Sequence, residues 1–249
     1  MNVRPKTMIS QILRFTLPYP QTISSPEFYR LRETVAKVCI SQYVGYTISA
    51  PLPRKAEEIC WAINWPATST AAQRAETLAS SPPPPSSSSD DGGRGGIVTI
   101  NGDDVTTSSL LLEIDDAQVP ELTKAFEARV CEFAFIALSP QAPLKSLAFQ
   151  TSMHKTYTDA YGMRGFEGGQ WAYCSNTNDS RGGPLTSEKV QLASDEKRLG
   201  VYVLGWESVE LHQTASKTAL FAEEIDKLSP YFGPGTGAFY VYFRKHAQN

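Results

Sequence analysis

Two stretches of this chain, ICWAINWPATS around Trp65 and GVYVLGWESVE around Trp206, share one pattern: an apolar strand ends in tryptophan and a helix-capping signal follows at once. A strand that passes directly into a helical period is a β–α corner, and meeting the same corner twice, together with the order of elements around it, points to a fold built by internal duplication. The second corner is the more legible. Val201 to Trp206 reads as a strand, and Ser208 is placed to cap a helix with Glu207 and Glu210 near the positive end of its dipole. The period predicts a single helix to about Leu228. There Ser229-Pro230 and Gly233-Pro234-Gly235 stop it and turn the chain into a last strand, Ala238 to Phe243.

The rest of the chain falls into the same order. Ile9 to Leu17 is a first strand, and Ser24-Ser25-Pro26 opens a helix that carries Phe28, Leu31, Val35 and Val38 to near Cys39. Gln42 to Ala50 and Glu57 to Trp65 are strands joined through Pro51-Leu52-Pro53-Arg54, Thr68 to Ala79 is a helix, and Ser108 to Asp115 is the fourth strand. Residues 80–96, SSPPPPSSSSDDGGRGG, bury too little apolar surface to offset the entropy of ordering them and are expected to form a mobile insertion. Beyond it, Ile97 to Ile100 and Val105 to Thr107 flank Asn101-Gly102 as a small hairpin. Pro120 to Ala128 is a linking helix. Val130 to Leu138, Pro143 to Tyr161 and Gly165 to Cys174 are then strand, helix and strand, and residues 175–197 are a polar loop. Each half reads β-α-β-β-α-β, a ferredoxin-like unit, over residues 1–118 and 119–249. A glycine match aligns Tyr43-Val44-Gly45-Tyr46 with Glu167-Gly168-Gly169-Gln170.

Several strands are apolar on both faces. In the last one Phe239, Val241 and Phe243 alternate with Ala238, Tyr240 and Tyr242, and nearly every position of Val130 to Leu138 is apolar. Helices cover one face, so the other must be buried sheet to sheet, giving an α+β fold of tandem βαββαβ units closed as an intramolecular α+β barrel. On Leu204-Gly205-Trp206-Glu207-Ser208-Val209-Glu210-Leu211-His212 and Phe239-Tyr240-Val241-Tyr242-Phe243 the chain resembles the dimeric α+β-barrel superfamily, in particular its antibiotic-biosynthesis-monooxygenase-like members. The resemblance spans almost the whole chain apart from the insertion. It implies that one chain makes the barrel that single-unit relatives make by dimerising.

A net charge of -3, with no basic patch, argues against nucleic acid and against an anionic membrane surface as partners. Cys39, Cys60, Cys131 and Cys174 are widely spaced in or beside apolar runs, the pattern of reduced, packed thiols. The amino-terminal MNVRPKTMISQILRF lacks a signal-peptide core and no window approaches a membrane span, so a cytoplasmic protein is expected, as monomer or homodimer. No dinucleotide or phosphate loop, HExxH, paired-cysteine spacing or nucleophile elbow occurs; no metal and no cofactor is expected.

His212 shares its helical face with Val209, Ala215, Ser216 and Ala219, which should look into the second unit, where an imidazole is suited to taking a proton from an acidic substrate. The bland alternative is a packed histidine bonded to a carbonyl. His154, with Tyr157 one turn on, offers a second base and a phenolic donor to a developing enolate, against the alternative of a partly exposed histidine over a packed aromatic. His246, near the terminus, is expected to be solvated. Trp171, Tyr173, Tyr202, Trp206, Tyr240 and Tyr242 would line an apolar pocket for a flat phenolic or polyketide-like ligand, or simply form core.

What the family resemblance implies is a cofactor-independent tailoring monooxygenase, in which a base makes a substrate carbanion that itself reduces oxygen. His212 would be the base, Trp206 and Trp171 the walls, and Tyr157 or Tyr240 the oxyanion donors, with Tyr240 and Tyr202 among the substrate-binding set. Cyclisation, dehydration or decarboxylation in the same pocket is the second reading. A noncatalytic ligand-binding or stress-related barrel is the third, and a filled interior would favour it.

Overall fold

The structure is a computed structural model in which residues 6–17, 21–48, 58–79, 107–185 and 191–247 are described. The first unit consists of β1 (Lys6–Thr16), α1 (Pro26–Ala36), β2 (Ser41–Ile48), β3 (Glu58–Pro66), α2 (Ala71–Ala79) and β4 (Ser108–Asp115). Helix α3 (Val119–Glu127) leads to β5 (Val130–Ala137), α4 (Leu147–Thr158), β6 (Phe166–Tyr173), a two-residue β7 (Gly183–Pro184), β8 (Leu199–Trp206), α5 (Val209–Ala215), α6 (Ala219–Leu228), β9 (Gly237–Val241) and β10 (Arg244–Lys245). The low-complexity tract, the turn at 51–54 and, Thr107 apart, the expected hairpin lie outside the described residues.

The strand pairs are antiparallel, and both units order their strands alike, β2-β3-β1-β4 and β6-β8-β5-β9. The duplication therefore holds at the level of topology. It also holds at the level of register: Trp65 faces Ile9 two residues beyond the Ile63–Gln11 pair, and Trp206 faces Val130 two residues beyond the Leu204–Glu132 pair. That register corrects the glycine match. Tyr43 faces Ala62 as Gln170 faces Val203, so Tyr43 corresponds to Gln170, not to Glu167; facing residues set strand register, and one shared glycine does not.

Two seams join the sheets. At one, β9 pairs with β5 and also with β2, through Thr47–Val241 and Ile48–Tyr240, and β10 continues along β2 through Arg244–Val44 and Lys245–Tyr43. Between them the chain crosses Gly45, where a Cβ would fall on the Tyr242 carbonyl. At the other seam Leu112 bridges Cys174, and the Asn176 side chain behaves as a peptide group would, accepting from the Leu111 N–H at 2.9 Å and donating to the Ser109 carbonyl at 3.0 Å. Side chains alternate between the layers thus created. Along β5, Cys131, Phe133, Phe135 and Ala137 join the core between the sheets, while Val130 and Ile136 join the core under the second unit's helices. Phe133 stacks on Phe239 at 5.1 Å between centroids. Helix α3 adds Leu122, Ala125 and Phe126 to the same inter-sheet core, approaching so closely that a Cβ on Gly205 would lie 2.9 Å from the Ala125 Cα. All four cysteines are buried, and none forms a disulfide.

Local signals explain where the elements depart from expectation. The single helix expected after Trp206 is two, because Thr218 lies inside the helical period and caps a new helix by accepting from the Phe221 N–H at 3.2 Å. Helix α4 starts at Leu147, where Ser146 caps it, and not at Pro143; a 3₁₀ turn, Asp159–Gly162, ends it. The polar loop after β6 contributes β7, which pairs with β4. Among the described residues no helix is long and apolar enough to cross a membrane.

Gly45→Val should unseat the crossing from β9 to β10. Overpacking against backbone costs roughly 1–3 kcal/mol or more, so urea unfolding should show a lower midpoint and amide exchange should quicken first in residues 237–245. An unchanged midpoint would mean that this seam does not hold the barrel.

Candidate functional site

A glutamate in the middle of an apolar strand must find either a partner or a proton. Glu132 on β5 is 2% exposed, and its Oε2 accepts the Trp206 indole N–H at 2.9 Å. The same oxygen stands 3.3 Å from His212 Nε2. His212 arrives there because Ser208 caps α5, accepting from the Leu211 N–H at 3.2 Å, and starts the helix directly after β8 so that the imidazole falls one turn in and inward. Its Nδ1 lies 2.7 Å from the Tyr240 hydroxyl, which β9 places beside Glu132 through the Glu132–Tyr240 pair. The rings of Trp206 at 4.8 Å, Tyr240 at 5.6 Å and Phe221 at 6.2 Å surround the imidazole. His212 is 8% exposed and Trp206 1%, whereas Tyr240 is only half-buried.

Burial sets the protonation of this group. It pushes the Glu132 carboxyl up from 4.5 to about 7, against the opposing effect of the Trp206 N–H, and pulls His212 down from 6.5 to about 4. The Tyr240 phenol is raised to about 12, by burial first and then by Glu132. The imidazole is thus neutral at neutral pH, and the carboxyl is the group that titrates there.

His154 and Tyr157 belong to a separate cluster on α4 and β6. His154 is exposed; its Nδ1 accepts the Trp171 indole N–H at 3.3 Å and its ring packs edge-on against Tyr157 at 5.1 Å. Trp171 stacks on Tyr202 at 5.4 Å, and Tyr202, 1% exposed, donates its hydroxyl to the Met153 carbonyl at 2.7 Å. Among the described residues no hydrogen bond or ring contact joins His154 to His212 directly; a file of rings, Tyr157, Tyr161, Phe166 and Trp206, runs between them. His246, expected in solvent, is 8% exposed: its Nε2 meets Glu33 Oε1 at 2.7 Å and its backbone N–H donates to the Gln42 carbonyl, because β10 runs along β2 and brings His246 against α1. The first unit repeats the tryptophan bond in neutral form, Trp65 Nε1 donating to Gln11 Oε1 at 2.7 Å.

Three clefts stand away from His212. One of about 590 Å3 lies between the 142–146 turn and Ser194, Asp195 and Arg198; one of about 320 Å3 lies over Trp65 and the start of α2; one of about 240 Å3 lies between α4 and Tyr231. Among the described residues no group of three or more histidine, cysteine, aspartate or glutamate side chains could hold a metal ion.

Two ferredoxin-like sheets curled onto each other, with α3 packed in the core between them and the helices of each unit covering the outer faces, define an α+β barrel made within one chain. Its solved counterparts include a provisionally assigned monooxygenase from Lactobacillus acidophilus NCFM (10% identity, TM-score 0.52, 98% of each chain covered). An anthrone oxidase-like protein (9% identity, TM-score 0.52) covers 98% of this chain and 94% of its own. A provisionally assigned chlorite dismutase (10% identity, TM-score 0.51) covers 96% of this chain and 95% of its own. At such identities the likeness establishes the fold and nothing finer. No family model matches the chain, and no curated protein matches it significantly.

The raised Glu132 carboxyl has a consequence for stability. Its ionisation opposes folding, so the cost is absent below pH about 4.5 and complete above about 7, on the order of 3 kcal/mol at most. Glu132→Gln keeps an acceptor for the indole, as Gln11 does for Trp65, and removes that cost. Relative to the wild type, the variant should gain stability as pH rises from about 5 to about 8 in thermal unfolding. A difference that stays flat across this range would show that the carboxyl is not held near neutrality.

Proposed function

We propose that this chain is an antibiotic-biosynthesis-monooxygenase-like tailoring enzyme that oxygenates a small aromatic or polyketide-derived molecule without a cofactor, in the second unit, in the cytoplasm. The observation that carries the reading is the buried imidazole of His212, held neutral between a phenol and a carboxyl on a fold shared with proteins named as monooxygenases and as anthrone oxidase-like. The chemistry needs a ring methylene whose anion is delocalised onto a carbonyl of the same ring system. The site removes one methylene proton, the carbanion adds dioxygen to give a peroxide, and loss of the second methylene hydrogen with cleavage of the O–O bond releases water and leaves a ring carbonyl. One methylene and one dioxygen thus become one carbonyl and one water. Phe166, Trp206 and Phe221 supply apolar surroundings in which such a carbanion is not quenched by bulk water.

The same proton abstraction without oxygen would serve a cyclase, dehydratase or decarboxylase. One observation favours the noncatalytic alternative, a ligand-binding barrel: the three clefts described above lie away from His212, and the residues around it are packed.

Anthrone as probe in an oxygen electrode tests the choice. The wild-type protein should consume one dioxygen per quinone formed, and His212→Ala should slow this by about 10²-fold or more while retaining its circular dichroism. Quinone formation without oxygen uptake would be inconsistent with the oxygenase. Turnover unaffected in His212→Ala would remove the imidazole from the reaction.

A further inference from the structure

Resting on that oxygenase reading, we propose that Tyr240 is the residue that touches the substrate, that His212 relays protons without becoming charged, and that Glu132 is where the abstracted proton comes to rest. Both imidazole nitrogens already face a protein group: Nδ1 shares a hydrogen bond with the Tyr240 hydroxyl at 2.7 Å, and Nε2 stands 3.3 Å from Glu132 Oε2, within ion-pair reach. Neither is left to meet a substrate. Of the four linked residues only Tyr240 is more than marginally exposed; Glu132, Trp206 and His212 are 2%, 1% and 8% exposed. The titratable groups facing the imidazole are Glu132 from β5 and Tyr240 from β9, while β8 and α6 present the rings of Trp206 and Phe221.

The first unit shows what the carboxyl adds. At the matching position Gln11 holds Trp65 by the same bond, so an amide suffices to anchor the indole. Leu111 faces Gln11 where Tyr240 faces Glu132, and the first unit's second helix has no histidine. Carboxyl, imidazole and phenol therefore occur together in one unit and are absent together from the other. What a carboxyl offers beyond an amide is a place for a proton.

In the relay's starting state, with Glu132 ionised, the Nε2 proton of His212 faces Glu132 Oε2 across 3.3 Å and Nδ1 accepts from the Tyr240 hydroxyl. In the step itself the substrate's C–H proton moves to the Tyr240 oxygen as the phenolic proton moves to Nδ1 and the Nε2 proton moves to Glu132. The products are a substrate carbanion, an intact phenol, a neutral imidazole in its other tautomer and a carboxylic acid. The charge gained by the substrate is the charge lost by Glu132. An imidazolium is never formed, in keeping with the burial that holds His212 down, and the terminal acceptor is the group poised near neutral pH. Such a site takes an uncharged C–H acid, since an anionic substrate would meet the ionised carboxylate.

Exchange of the anthrone methylene hydrogens in deuterated buffer without oxygen isolates this step from oxygenation. The wild type should accelerate exchange over buffer, with a rate that rises with pH to a plateau above about 7. Tyr240→Phe and Glu132→Gln should each lower it by about 10²-fold or more, and Glu132→Gln should lose the pH dependence. Nitrogen-15 spectra should show His212 neutral and Nε2-protonated at pH about 8, in the wild type and in Tyr240→Phe. Exchange without oxygen uptake would leave the relay standing and end the oxygenase reading. Full exchange in Tyr240→Phe, no acceleration by the wild-type protein, or an imidazole that becomes cationic near neutral pH would each overturn the relay.

Discussion

One bond made twice organises this molecule: an indole N–H from the end of a strand, satisfied by a side-chain oxygen from the neighbouring strand, Trp65 on Gln11 and Trp206 on Glu132. A buried indole N–H without an acceptor would cost about 1–3 kcal/mol, so each tryptophan can be fully buried only where its partner strand supplies that oxygen. The bond thereby fixes the register of β3 on β1 and of β8 on β5, and with it which side chains enter the barrel and which lie under the helices. In the second unit the acceptor is itself titratable, and the site grows from that difference.

Much of the fold was legible because it depends on local periodicity and on order. The repeated corner around Trp65 and Trp206, the apolar faces of Val130–Ala137 and the sequence of strands and helices require no knowledge of distant contacts. The break in the helix after Trp206 is not legible because Thr218 fits a helical period as well as it caps a new helix, and only the Phe221 N–H seated on its hydroxyl decides between the two. The glycine alignment failed for the opposite reason: strand register is a property of two strands, and Gly168 and Gly169 carry no information about what they face.

The candidate site was half legible. The inward face of His212 followed from its position one turn beyond a serine cap. Glu132 does not stand out as a site residue in the sequence, because the bond that explains it reaches Trp206, 74 residues away. A signal existed, since Glu132 is the lone charge on a strand whose neighbours on the same face, Val130, Ala134 and Ile136, are apolar, and such a residue seldom lacks a partner. Sequence position alone predicts a solvated His246, whereas its environment is set by Glu33, 213 positions earlier.

Both halves of the barrel belong to one covalent chain, and β9 pairs with a strand of each. Two identical subunits would have to place the same residue at both tryptophan-bonding positions, and any change would be written twice. Fusion releases that constraint. One copy can keep an inert amide and serve as scaffold while the other accumulates ionisable groups in its interior, with the stability forfeited on one side of the molecule underwritten by the neutral packing on the other.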